Sequence, residues 1–400
     1  MTKIDSGAQD GPGTAFQGAL LAMLSTLAVA AALLIAPIVP HMAAAFPDDP
    51  NAQTKAIMAL VVPALVVAIT APFVGRLAER IGRKPVLLTA LCIYLLCGIA
   101  PIFLSSLDHI IVSRIGVGLG EAGVMTASTA LIGDYFRGAR REHWIVVQTG
   151  VASIASVAFG VVSGFLGEFG WRTPFFVYAM PVVYIPLVLI ALHEPVQKAT
   201  TRARAAFPWS KVSAFYAIGF PAALLFFIIP IQTPFLLTAR DMSSPLLIGI
   251  TGAVSGIAVT VGGFCFKLIS NAALNQILGL AFALIALGLG LFVGNGSYWM
   301  TWLGVVLASI GCGMTLPAVL TSIMRMLSFE ERGRGTGAWQ TAFFTGNFLS
   351  PVVILGLSAA LNGLEHALLA VAGIAMAIAL LCVGLFRFPA ERGDETPGTQ

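Results

Sequence analysis

The sequence predicts an all-α membrane protein, with twelve transmembrane helices in two pseudo-symmetric six-helix bundles and both termini in the cytoplasm. Three observations carry this expectation. The chain of 400 residues is 58% hydrophobic and only 10% charged, whereas soluble domains are about 45–50% apolar and about 25% charged. Apolar runs long enough to cross a bilayer, roughly 20 residues, recur along the whole chain. Lys and Arg, finally, gather in alternate loops.

The runs fall at 17–39, 54–74, 85–105, 109–133, 145–167 and 173–192, then at 212–238, 245–268, 274–294, 298–324, 337–361 and 366–386. Only TARDMSSP separates the seventh from the eighth. The expected organisation is a cytoplasmic tail (1–16), an N-terminal bundle (17–192), a polar cytoplasmic linker (193–211), a C-terminal bundle (212–386) and a second tail (387–400). Of 22 Lys and Arg, 18 lie in the tails or loops that this topology puts inside, including Arg76, Lys198, Arg202, Arg204, Lys211, Lys267, Arg325, Arg332 and Arg334. Lys55, Arg172 and Arg240 lie outside, and Arg114 is within a span. Cytoplasmic loops carry the excess of basic residues, so both ends are expected inside.

That asymmetry accounts for the net charge of +4, leaving no indication of a nucleic-acid partner. Residues 1–15 are polar and carry Asp5 and Asp10 instead of a basic region, so the first run is read as a retained span. Cys92, Cys97, Cys265, Cys312 and Cys382 sit in apolar surroundings without metal-type spacing and read as core residues. His41, His109, His143, His193 and His366 stand at span ends, again with no metal spacing. Neither a Gly-Lys-Ser phosphate loop nor a zinc-type HExxH occurs. No enzyme activity and no cofactor are expected.

The halves echo each other. DYFRGARREHW after span four parallels SFEERGRGTGAW after span ten, and Trp144 and Trp339 each open the following helix. Two repeats related by an axis along the membrane normal are one transporter layout. Small residues at four-residue spacing mark faces for close helix packing: Gly116 and Gly120, then Ser156, Gly160 and Gly164, then Gly252 and Gly256.

Between spans two and three stands GRLAERIGRKP, Gly75 to Pro85. Its Gly75, Glu79, Arg80, Gly82, Arg83 and Lys84 resemble the signature cytoplasmic loop of the major facilitator superfamily, with Glu79 where Asp is usual. A tight turn needs glycine, and both Gly75 and Gly82 are read as turn residues. The resemblance implies that Glu79 faces the positive N-terminal end of span eleven, near Gly337. It also implies that Arg83 pairs with Asp134 at the end of span four, the whole forming a gating latch. The matching loop of the second half, GFCFKLISN, has Lys267 in place of the acid.

Subgroup features are mixed. APIVPHM, with Pro37 and Pro40, resembles the span-one ending of twelve-span drug:proton antiporters, but no acid precedes it and span five lacks that group's Gly-Pro pair. SRIGVGLGEAG in span four resembles the Arg-rich span-four motif of the superfamily through Arg114, Gly118 and Gly120, and its GEA segment is similar to spinster-like lipid transporters and organic-anion symporters.

Glu121 is the one acid well inside a span and Arg114 the one base. A charge at a helix centre costs about 2.5–3.5 kcal/mol on insertion scales, so each is expected to face a cavity or a partner. Seven residues put them on one stripe, about 10 Å apart, too far for more than a marginal direct ion pair. Glu121 is the expected proton-coupling carboxylate, with Arg114 biasing it; the alternative is a structural carboxylate. Gln148, Gln232 and Asn347, with Phe227 in the proline-broken FFIIPIQTPF, are the candidate substrate contacts; a kinked, lipid-facing segment is the alternative there.

The expected function is secondary active transport, proton-coupled, exporting small lipophilic or amphipathic compounds by alternating access from a bacterial inner membrane. Na⁺ is the alternative ion. An organic-anion symporter or a lysolipid exporter using Arg114 and Glu121 is the runner-up, and a non-transporting receptor is the reading from another class. The expected partners are the lipid bilayer and a small-molecule substrate, with the protein as a monomer.

Overall fold

The computed structural model describes residues 13–194, 207–294, 297–327 and 331–384. Lys3, Asp5, Asp10, Lys198, Arg202, Arg204, Arg387, Arg392 and most of the central linker lie outside the described residues, as do the side chains of Lys211 and Arg332. Among the described residues, twelve helices are long and apolar enough to cross a membrane. They are spans one to six (Ala15–Ala44, Ala52–Ile81, Arg83–Ile102, Leu107–Tyr135, Gly138–Gly167, Thr173–Ala191) and spans seven to twelve (Val212–Ala239, Pro245–Leu268, Leu274–Val293, Tyr298–Met326, Arg334–Ala360, Leu364–Gly384). Each run read from the sequence has its helix.

The close junction between spans seven and eight is resolved by backbone chemistry. Asp241 takes a left-handed φ of 60°, and the N–H of Met242 returns to the carbonyl of Leu237 at 2.9 Å. That is a helix C-cap made without glycine. Pro245 then opens the next helix, where its missing N–H would have had no partner anyway.

Two compact units are present: Met1–Thr201 with Ser244–Ala253, and Arg202–Ser243 with Val254–Gln400. The first turns of span eight therefore belong to the first unit, although the linker-based boundary puts them in the second half. Their glycines explain this. A Cβ on Gly164 would lie 2.6 Å from the carbonyl oxygen of Pro245, and one on Gly249 would collide with the carbonyl oxygen of Gly160. Spans five and eight thus approach backbone to backbone, as small residues permit. The glycine that makes this contact is Gly249. A side chain on Gly252 would meet open space, against the expectation.

Each unit repeats one packing device. In the first, the indole of Trp144 at the start of span five lies where a Cβ on Gly18 of span one would be; in the second, Trp339 does the same to Gly219 of span seven. The half-chain echo of the two tryptophans is thus an echo of two glycine–tryptophan contacts.

Span one is broken twice. Helix runs over Ala15–Met23 and Ser25–Leu33, then a 3-10 turn over Ala36–Ile38, then helix again over Val39–Ala44. Pro37 and Pro40 lack the N–H that would bond the carbonyls four residues back. Hydroxyl donors from neighbouring spans serve this helix: Tyr94 to the carbonyl of Leu27 (2.7 Å), Tyr178 to that of Ala31 (2.9 Å), and Ser163 to that of Leu34 (2.6 Å). Backbone groups in hydrocarbon need such partners. Span seven breaks at Phe227, between helices Trp209–Phe226 and Ile228–Ala239, beside Pro230 as the sequence implies.

Candidate functional site

Span four is the centre of the first unit's site. Its glycines let it sit between spans two and three: a Cβ on Gly118 would lie 2.6 Å from the carbonyl of Pro63, and one on Gly120 would lie 2.8 Å from that of Ala90. Among the described residues, Arg114 and Glu121 are the charged side chains buried in the spans, at 0% and 4% exposure.

Their environments differ. Arg114 donates from Nη2 to the carbonyls of Cys97 (2.8 Å) and Gly98 (3.2 Å). The first of these carbonyls has lost its own helical donor, because Pro101, four residues on, has no N–H. The guanidinium also lies over the rings of Tyr178 (4.8 Å) and Phe175 (5.3 Å), a favourable cation–π arrangement. Arg114 therefore closes the C-terminal end of span three and is sealed beneath two aromatic rings. The Glu121 carboxylate forms no ion pair with it, nor a hydrogen bond to any described residue.

At the other end of the same unit, the signature loop is anchored differently from the expectation in part. Arg83 Nε meets Asp134 Oδ2 at 3.1 Å, the pairing implied by resemblance. The positive N-terminus of span three, however, is capped by Glu194, whose Oε1 and Oε2 accept the N–H groups of Arg83 and Lys84, both at 2.8 Å. Lys84 Nζ returns the exchange, donating to the carbonyls of Leu189 (2.9 Å) and Leu192 (2.6 Å) at the end of span six. Acid on a helix start and base on a helix end both complement the macrodipole.

Tyr135 joins this knot. Its hydroxyl accepts the His193 N–H (2.9 Å) and donates to the His193 carbonyl, while the two rings stack at 4.7 Å. Gln17 Nε2 donates to the carbonyl of Ala191 at 2.8 Å.

Of the two loop glycines Gly75 and Gly82, it is Gly82 that makes the turn, with φ of 103°. Gly75 is helical, since span two continues to Ile81, and a Cβ there would make only ordinary contact with Thr126 (3.7 Å). Glu79 and Arg80 occupy the exposed last turn of that helix. The helix of span eleven is already formed at Arg332, ahead of Gly337, and its membrane-crossing stretch opens at Arg334.

The candidate substrate contacts divide between the units. Gln148 is half-buried in the first, and its carbonyl takes the Ser25 hydroxyl at 3.2 Å. In the second, Gln232 and Asn347 are buried, at 3% and 8% exposure. Phe227 packs against Phe226 (5.1 Å) and Phe343 (4.9 Å), and Phe343 stands one turn before Asn347 on span eleven. The structure thus brings Phe227 to the Asn347 helix. Sequence reasoning missed Phe343, Glu194 and Tyr135; an acid directly after span six was the available signal for Glu194.

The profile of the Major Facilitator Superfamily matches residues 18–351 and 216–400. The chain belongs to this superfamily. It is a multi-pass membrane transporter and not an enzyme. The tetracycline resistance protein, class E, of Escherichia coli is 25% identical over 82% of this chain and 84% of its own length. The quinolone resistance protein NorA of Staphylococcus aureus is 22% identical over 72% of this chain and 77% of its own. The niacin transporter NiaP of Acinetobacter baylyi is 30% identical, but over 34% of this chain and 31% of its own length. Among solved structures, a bacterial homolog of the human lysosomal transporter Spinster, inward-facing and occupied, superposes with a TM-score of 0.73 at 17% identity, covering 92% of this chain and 96% of its own. A D-xylose-proton symporter does so at 0.73 and 14% identity, covering 94% and 98%. These likenesses establish the superfamily fold, which the sequence had suggested through its loop.

Proposed function

We propose that this superfamily member couples export of small lipophilic or amphipathic compounds to the proton gradient by alternating access. In this reading it sits in a bacterial inner membrane with both termini cytoplasmic, works as a monomer, and needs no bound cofactor. The observation that carries it is Glu121. A buried carboxylate without an ion partner is costly in the membrane interior and is a functional residue by default. Bearing a proton it is neutral and tolerates an apolar surround; losing the proton it demands water or a partner. That difference links protonation to which state of the transporter is favoured. Two resistance transporters among the relatives support efflux, and the Phe227–Phe343 cluster beside Asn347 and Gln232 suits a lipophilic ligand with a few polar groups. The Gly75–Pro85 loop, with its Arg83–Asp134 pair, acts as part of the gate.

The test uses protein in proteoliposomes with an imposed pH gradient. Glu121→Gln is expected to abolish gradient-driven accumulation while retaining energy-independent counterflow. Gradient-driven transport at the wild-type rate in that variant would remove Glu121 from coupling; a Na⁺ gradient serving in place of H⁺ would reassign the ion.

A second reading, organic-anion transport, is favoured by the partial match to a niacin transporter. In that reading Arg114 caps span three under Tyr178 and Phe175 and is not taken as the anion grip, although its Nε and Nη1 are buried without a hydrogen-bond partner. Counterflow with nicotinate beside a cationic drug and a lysolipid separates the two readings.

A further inference from the structure

We infer that Glu168 is a positioning residue for transport, holding the first turn of span eight on span five through a polar tether that is released and re-formed during the cycle. The inference rests on the alternating-access reading above.

Glu168 directly follows the last residue of span five, Gly167. Its Oε1 accepts two hydrogen bonds from the start of span eight, one from the Ser244 hydroxyl (2.6 Å) and one from the Leu246 N–H (3.0 Å). The first N–H groups of any helix have no partner within it. Ser244 Oγ supplies a local one, to the N–H of Leu247 at 3.3 Å, and Glu168 supplies the next from 78 residues away in sequence. The charge faces the positive helix end, the favourable orientation.

Beneath this tether, spans five and eight meet through glycine. A Cβ on Gly160 would lie 3.1 Å from the carbonyl of Gly249, and one on Gly164 would lie 3.0 Å from Cα of Leu246. Such a seam has few interlocking side chains, so the contact can part and re-form without unpacking a core. Residues Ser244–Ala253 belong to the first unit while the rest of the same helix belongs to the second. A hold at this place governs what span eight can do.

The groups around the carboxylate are few. His41, at the end of span one, is the titratable group whose field reaches Glu168, and its Nδ1 is buried without a hydrogen-bond partner. Arg172, one turn further along, is engaged elsewhere, donating to the carbonyl of Leu104 at 3.0 Å. The two bonds from Ser244 and Leu246 hold the Glu168 carboxyl below its ordinary pKa, so the tether is in its charged form at neutral pH.

The experiment measures counterflow in proteoliposomes, which needs no proton gradient and so does not depend on Glu121 coupling. A Glu168→Cys, Ser244→Cys double variant is oxidised to close a cross-link, then reduced. Cross-linking is expected to lower counterflow by about tenfold, and reductant to restore it. Glu168→Gln, whose amide oxygen still accepts both bonds, is expected to retain counterflow. In parallel, the labelling of Ala253→Cys by a maleimide is read by peptide mass spectrometry. Glu168→Ala is expected to speed it about fivefold, the weight of one helix cap, and Glu168→Gln to leave it unchanged. Undiminished counterflow in the cross-linked protein makes the contact a static brace and overturns the proposal. Equal labelling rates in wild type and Glu168→Ala overturn it as well, whether or not the cross-link forms. Absence of counterflow in the wild type would fault the transport reading instead.

Discussion

Replacing Arg114 separates a structural base from a ligand-gripping one. In Arg114→Ala the carbonyls of Cys97 and Gly98 lose their donor. A buried acceptor left unpaired costs about 1–3 kcal/mol, and Pro101 ensures that the first cannot recover a helical partner. Loss of the two ring contacts adds about 0.5–2 kcal/mol, while removal of a buried charge returns part of the desolvation cost. The net destabilisation is about 2–4 kcal/mol, spread over the first unit. Thermal unfolding in detergent reads this as a drop of several degrees. Arg114→Lys keeps the charge but has no planar fork to span two carbonyls and cover two rings, so most of the loss is expected to remain. Arg114→Met is expected to match Lys or exceed it. Unchanged melting of Arg114→Ala, together with loss of ligand binding, would refute the capping role and restore the anion grip.

Other outcomes follow from the same geometry. Glu194→Ala removes the cap from span three and is expected to cost about 1 kcal/mol, with faster amide exchange at Arg83 and Lys84 in hydrogen–deuterium mass spectrometry. Gly82→Ala forces a side chain into a φ of 103° and into the Glu194 carboxyl; a loss of about 1–2 kcal/mol, larger than that of Gly75→Ala, is expected in the same melting assay. Gly18→Leu and Gly219→Leu should each cost about 1–3 kcal/mol by displacing an indole, and a similar loss at both positions is the signature of a shared device. For Glu168 the folded pKa lies below the unfolded value of 4.5. Its contribution is therefore fully present above that value and is lost as pH falls through the lower, folded one. Because maleimide reacts with the thiolate, whose population rises with pH, the readout is the ratio of labelling rates at position 253 between Glu168→Ala and wild type. That ratio should hold from about pH 5 to 9 and fall toward one only in stronger acid; a change of it near neutrality would place the tether on another group.

Much of the architecture was legible because it is written along single helices. Span ends follow from apolar length, and the second break of span one and the break of span seven from Pro37, Pro40 and Pro230; the break of span one at Leu24 has no proline behind it. Arg83 with Asp134 was legible for another reason, the resemblance of its loop. What the chain did not disclose are partners across helices. The stripe through Arg114 and Glu121 fixes their spacing, but nothing in span four says that Pro101 leaves a carbonyl open on span three. Gly249 and Gly252 are equally small, and only the neighbouring helix decides which one is pressed. Gly75 reads as a turn residue in a motif, yet helical propensity carries span two on to Ile81, so a single glycine makes the turn. Glu194 showed in the sequence as an acid directly after span six, but its partners did not, because they depend on where span six ends in space.

The two glycine–tryptophan contacts bear on how this protein can be rebuilt. Gly18 and Trp144 are far apart in sequence but share one space, as do Gly219 and Trp339. A chimera that borrows its first span from a relative must therefore bring the residue at 144 with it, or the new side chain and the indole will occupy the same space. The same holds when a seventh span is grafted without position 339. Exchange of whole six-helix halves keeps both pairs intact, which makes the half, and not the single span, the natural module for recombination.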